Sequence, residues 1–202
     1  MSALSELYEE ITFCQQCEMA RYRIQTVPGE GAGDADIMFI GEAPGQHEDQ
    51  KGRPFVGPAG KLLDELLATI GLNRQQVYIA NVIKCRPRGN RDPLPQEIFN
   101  CRKWLERQIE LILPKIIVTL GRYSMALFFP QKSISKIHGS AEKREGVIYF
   151  AMYHPAAALH QPALKETIKA DMLKIPPLLA QLQDIQEAKE DTQAKQLNMF
   201  EV

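Results

Sequence analysis

Asp36-Ile37-Met38-Phe39-Ile40, followed at once by Gly41-Glu42-Ala43-Pro44-Gly45, is a short apolar run closed by turn-forming residues. A run of that length without polar alternation is how a strand buried on both faces reads. Three further runs share the design: Val77 to Ile83, Lys115 to Leu120, and Val147 to Met152, each ended by a breaker. Helical patterns fill the intervals, at Gly57 to Ile70 with Pro58 in a first-turn position, Pro95 to Leu113, Gly121 to Phe128, and Ala163 to Leu182. Strands alternating with helices predict an α/β fold, a parallel sheet covered on both faces. Pro176-Pro177 is expected to kink the last helix or end it early.

The 202 residues, 45% of them hydrophobic, suit one compact domain over 1–182 with a polar tail over 183–202. The opening MSALSELYEE is acidic and amphipathic, unlike a secretory signal, and no apolar stretch has the length of a membrane span. A cytoplasmic protein with no membrane partner is expected. A net charge of −1 argues against bulk attraction to polyanions, so contact with nucleic acid has to come from a local patch.

In open parallel sheets ligands sit beyond the carboxyl ends of the strands. Those positions are chemical here. After the first run come Gly41-Glu42-Ala43-Pro44-Gly45, then His47, Glu48 and Asp49, then Gly52-Arg53-Pro54-Phe55-Val56-Gly57. Asn81 closes the second run, Gly121-Arg122-Tyr123-Ser124 follows the third, and Tyr153-His154-Pro155-Ala156 follows the fourth. Two tempting motifs fail. Gly60-Lys61 lacks the earlier glycine and the following Ser or Thr of a P-loop, and the glycines at 29, 31 and 33 precede the first strand, so they cannot cradle a pyrophosphate.

The chain has four cysteines, Cys14-x-x-Cys17 and the singles Cys85 and Cys101. In a reducing compartment that pattern favours a soft-metal site over disulfides. The second half is not another Cys-x-x-Cys, which points away from a zinc ribbon and toward an iron–sulfur cluster. Cys85 and Cys101 would clamp the loop that carries Arg86, Arg88 and Arg91, where with Lys84 they form a candidate basic patch; the alternative is a solvated basic loop.

Taken in order, Cys14-x-x-Cys17, GEAPG at 41–45, GRPFVG at 52–57, Asn81, Lys84-Cys85-Arg86-Pro87, Cys101 and His154-Pro155-Ala156 resemble the family 4, iron–sulfur type of uracil-DNA glycosylases across roughly residues 1–180. The resemblance implies a three-layer α/β/α domain around a central four-stranded parallel sheet, a [4Fe-4S] cluster, and excision of uracil from single- or double-stranded DNA by a bacterial monomer. In that role Phe55 stacks on the everted base. Asn81 accepts from uracil N3–H and donates to O4, a pairing that cytosine inverts. His154 donates to O2 as negative charge gathers there. Backbone N–H groups of Gly41, Glu42 and Ala43 meet the pyrimidine edge. Glu42 and Glu48 are the candidates for positioning water, whereas other uracil glycosylase families carry an aspartate in this motif.

Arg86, Arg88 and Arg91 would grip DNA phosphates. The branch that traps DNA covalently has a histidine in its basic loop; Pro87 to Pro95 has none, so turnover is expected. His47, His138 and His160 read as surface or structural, and His160 stands where many relatives have arginine. At the end of the tail, Gln196-Leu197-Asn198-Met199-Phe200 looks like a bacterial sliding-clamp-binding pentapeptide, with Gln196, Leu197, Met199 and Phe200 as its anchors. The competing reading is a noncatalytic, metal-containing DNA-binding module; an electron carrier would not need Phe55, Asn81 and His154 around a separate rim.

Overall fold

A computed structural model describes residues 2–182. The strands are β1 (Glu30–Gly31), β2 (Ile37–Gly41), β3 (Tyr78–Asn81), β4 (Ile116–Leu120), β5 (Ala141–Arg144) and β6 (Val147–Met152). The helices are α1 (Ala3–Thr12), α2 (Gln46–Lys51), α3 (Pro58–Thr69), α4 (Pro95–Ile112), α5 (Arg122–Phe128), α6 (Ile134–Ile137), α7 (Pro155–His160) and α8 (Leu164–Met172). One sheet runs β1-β3-β2-β4-β6-β5. Its four inner strands are parallel, with Met38 opposite Tyr78 and Ile117, and Ile117 opposite Tyr149. The four expected strands are therefore the four inner ones. The sheet is wider than expected because β1 and β5 pair antiparallel on its two edges.

Alternation along the strands sorts the core into two layers. Ile37 and Phe39 of β2, Ile116 and Val118 of β4, and Ile148 and Phe150 of β6 face α3, α7 and α8 through Leu63, Leu67, Ala158 and Ile168. Met38 and Ile40, with Tyr78 and Ile117, face α1 and α4 through Leu7, Ile11, Trp104 and Leu105. Every residue of β2, β3 and β4 is buried, which is why these strands read as unbroken apolar runs.

Three helices start on proline, Pro58, Pro95 and Pro155, where the missing N–H costs nothing and the fixed φ suits the first turn. Glu97 at the third position of α4 accepts the Leu94 N–H at 2.8 Å and secures that start. The last helical pattern is divided. α8 ends at Met172, a turn covers 173–174, and helix resumes at 175, so Pro176-Pro177 lie in the first turn of a new segment and do not end the old one. Gly31, one of the glycines ahead of the first expected strand, itself lies in edge strand β1 opposite Tyr78. Among the described residues no helix is long and apolar enough to cross a membrane.

Candidate active site

The tips of β2, β3 and β6 converge on one cavity, lined by Glu42, Ala43, Glu48, Phe55, Asn81 and His154 with Pro87, Asn90 and Arg91 closing one side. Its floor depends on Gly41. A Cβ there would lie 2.4 Å from Asn81 Oδ1 and 2.6 Å from Phe55 Cζ, so glycine is what allows the amide and the ring to approach the strand end together. Phe55 itself takes a positive φ of 52°, a conformation costly for an aromatic residue. It is held from outside: Arg74 donates to the carbonyls of Phe55 at 2.7 Å and Pro54 at 2.5 Å.

Asn81 is 2% exposed, and its Oδ1 has no hydrogen-bond partner among the described residues. A buried acceptor left open costs free energy unless a ligand supplies the donor. His154 stands beside Phe55, ring centroids 5.4 Å apart and 23° from parallel. Its Nδ1 accepts the Ala156 N–H at 3.1 Å, so the neutral imidazole carries its proton on Nε2. Burial, only partly opposed by Glu48, pulls its pKa from 6.5 down to about 4, which keeps the ring neutral at physiological pH.

The two carboxylates differ. Glu48 Oε1 accepts from the N–H groups of Val56 and Gly57, both at 2.9 Å, and Oε2 accepts from Gly45 N–H at 3.0 Å. It ties the start of α2 to the loop that presents Phe55. Glu42 makes no side-chain hydrogen bond among the described residues, and burial, reinforced by Asp92 and opposed by Arg122, raises its pKa. Asp49, next to Glu48 in the sequence, is buried and accepts from Ile24 N–H at 3.0 Å, a purely structural tie.

The basic loop is less uniform than its sequence. Lys84 leaves the expected surface patch altogether, being 1% exposed inside the core. Arg86 donates to Asn90 Oδ1 at 2.7 Å, Arg88 lies 5.1 Å over the Tyr22 ring, and Arg91 is gripped by Glu97 through two bonds of 2.9 and 2.6 Å. Asp92 and Arg122 pair at 2.5 Å near Glu42, a contact that no motif in the sequence announces.

All four cysteines line a second cavity behind this loop, walled by Ile11, Met19 and Trp104. Burial pushes the Cys85 thiol up to about 12 and the Cys101 thiol up to about 11. Donors already point at sulfur, Arg23 at Cys85 Sγ (3.5 Å) and the Lys84 amide at Cys101 Sγ (3.3 Å). Among the described residues no three His, Cys, Asp or Glu side chains converge closely enough to hold a single ion. The chemistry of the donor set, four sulfurs lining one cavity, fits a polynuclear group, which takes one thiolate at each corner. Gln196, Leu197, Met199 and Phe200 lie outside the described residues.

The family model described as the uracil DNA glycosylase superfamily matches residues 28–174, a span that holds Gly41, Phe55, Asn81 and His154. The chain belongs to that superfamily. It is 48% identical over 185 residues to the type-4 uracil-DNA glycosylase of Sulfurisphaera tokodaii, covering 87% of this chain and 84% of the relative. The type-4 enzyme of Archaeoglobus fulgidus is 45% identical over 192 residues, covering 91% and 96%. A type-5 uracil-DNA glycosylase of Thermus thermophilus matches at 34% over 119 residues, covering 52% and 54%. Cys14 and Cys17 precede the span matched by the superfamily model, so half of the cysteine set lies outside that match.

Proposed function

We propose that this protein is a uracil-DNA glycosylase that hydrolyses the N-glycosidic bond of uracil in single- or double-stranded DNA and leaves an abasic site. The observation that carries the reading is the unpartnered, buried Oδ1 of Asn81 beside Phe55 and His154. Uracil N3–H is the donor that this acceptor lacks, while the Asn81 amide group donates to O4. Cytosine offers the opposite pattern and would leave both ends unpaired, at about 1–3 kcal/mol each. Stacking on Phe55 adds roughly 1–3 kcal/mol without regard to base identity.

The bond between C1′ and N1 breaks with its electron pair going to the uracil ring, and the sugar becomes cationic. His154 Nε2–H donates to O2 as that oxygen gains charge, so the contact strengthens toward the transition state. A water then adds to C1′, and its proton passes to Glu42, whose uncommitted carboxylate suits this task. Glu48, with three backbone N–H groups on its oxygens, serves as a positioning residue for the Phe55 loop. Backbone N–H groups of Gly41, Glu42 and Ala43 meet the pyrimidine edge, Arg86 and Arg88 contact phosphates flanking the everted nucleotide, and Arg91, committed to Glu97, holds the loop in place.

Cys14, Cys17, Cys85 and Cys101 would hold a [4Fe-4S] cluster, which when bound cross-links the N-terminal segment to the basic loop. We further assign residues 1–182 to one catalytic domain acting as a cytoplasmic monomer. The tail over 183–202 is assigned as a tether whose Gln196, Leu197, Met199 and Phe200 reach a sliding clamp. The test of the activity is direct. Iron-loaded protein should convert a uracil-containing oligonucleotide into alkali-labile breaks and leave a thymine control whole; intact uracil strands would make the protein a binding module.

A further inference from the structure

Lys84 is a buried cation that the proposed reaction does not use. Its Nζ donates to two neutral oxygens, the main-chain carbonyl of Asn81 at 2.7 Å and Gln108 Oε1 at 2.6 Å. Gln108 passes the network on, donating to Tyr78 Oη at 2.9 Å and to the Pro28 carbonyl at 2.8 Å, and Tyr78 bonds Tyr8 of α1 at 2.6 Å. Buried lysines are rare because the ammonium loses its water, so a retained one needs a reason. Its backbone supplies the second half of one: the Lys84 amide donates to Cys101 Sγ at 3.3 Å. β3 ends at Asn81, and after Val82 and Ile83, which still donate to the Gly41 and Glu42 carbonyls, Lys84 is the next residue to fix the segment that carries the recognition amide.

We propose that Lys84 is a positioning residue that couples the four-cysteine site to base recognition, its amide seated on Cys101 and its ammonium fixing the Asn81 carbonyl. The proposal rests on the function put forward above. Lying three residues after Asn81 and one before Cys85, Lys84 spans both sites within a single turn of chain. Whatever displaces Cys101 therefore moves the peptide that carries the uracil-reading side chain.

The test uses full-length, iron-loaded protein with Lys84→Met and Lys84→Gln, and Tyr8→Phe as a cut at the far end of the same network. Three quantities are read: inhibition by free uracil, affinity for abasic duplex DNA, and the reduction potential of the bound iron. Loss of one hydrogen bond on the Asn81 peptide should weaken uracil inhibition by about tenfold in either Lys84 variant. Abasic-DNA affinity should hold, since phosphates supply it, and the potential should move negative as a nearby cation is removed. Tyr8→Phe should lower the melting temperature with uracil inhibition and potential unmoved. Unchanged uracil inhibition in a folded Lys84 variant, or an equal loss in Tyr8→Phe, overturns the proposal. Wild-type protein that neither excises nor binds uracil defeats the functional reading on its own, and protein that takes up no iron overturns the coupling to the cysteine site.

Discussion

The base pocket and the cysteine cavity are joined by Asn81 to Cys85, and they are incomplete in opposite ways. In the pocket the unmet groups are neutral hydrogen-bonding atoms, Asn81 Oδ1 and His154 Nε2–H, backed by an uncommitted carboxylate on Glu42. In the cavity they are four thiols and the buried Trp104 Nε1–H, with the pKa of Cys85 and Cys101 raised by burial and N–H donors aimed at two of the sulfurs. A ligand that must come and go is met by hydrogen bonds worth about a kcal/mol each. A resident group is met by ligands that bind only when deprotonated and are then hard to release. On the function proposed above, the pocket suits a ligand that turns over and the cavity one that stays.

That contrast breaks most visibly at His154. Because its contact grows only as the base departs, His154→Ala should slow single-turnover excision by about 10²–10³-fold while affinity for abasic DNA holds. Equal losses in rate and affinity would move His154 from the base to the DNA backbone. Gly41→Ala comes next. Its Cβ would press on both Asn81 Oδ1 and Phe55 Cζ, so excision should fall by about tenfold to a hundredfold with weaker uracil inhibition. Iron content should not change, since the cysteine cavity is lined by other residues; a loss of iron would mean the two sites share more structure than Asn81 to Cys85.

A pH profile sharpens the same contrast. The folded protein keeps His154 neutral down to about 4, whereas the unfolded chain protonates it below 6.5. Its contribution to stability is therefore complete above pH 6.5 and is lost as the pH falls from 6.5 through 4. Activity should show no inflection near 6.5. The acid limb belongs to Glu42, whose pKa is raised by burial, and Glu42→Gln should flatten it. An acid limb that survives in Glu42→Gln would return the titration to His154.

The four inner strands were legible because burial on both faces leaves no polar residue to interrupt them, as Ile37 to Ile40 and Ile116 to Leu120 illustrate. Edge strands lack that signal: Ala141-Glu142-Lys143-Arg144 is mostly exposed and reads as loop. The convergence of Glu42, Phe55, Asn81 and His154 followed from the rule that strand tips share a rim. The different hydrogen bonding of Glu42 and Glu48 did not, because it depends on which backbone N–H groups a distant loop turns toward α2. Lys84 misled for a related reason. Residue type argues for the surface, and only the Asn81 carbonyl and Gln108, placed by the fold, make its burial tolerable.

The smallest effects are expected in the basic loop, where sequence treats three arginines alike and structure does not. Arg88 rests on the Tyr22 ring, an arrangement that leaves its N–H groups open to phosphate. Arg91 spends both ends of its guanidinium on Glu97, a carboxylate that is 6% exposed and itself secures the start of α4. Arg88→Ala should therefore reduce the salt slope of DNA binding by about one and weaken binding a few-fold at moderate salt. Arg91→Ala should act chiefly on stability, since it strands a nearly buried carboxylate and loosens the helix that bears Cys101. A melting curve and a salt titration on both variants separate the two roles. If Arg91→Ala changes the slope as much as Arg88→Ala does, the Glu97 pair opens on DNA, and the loop that closes the pocket is rearranged by the substrate that enters it.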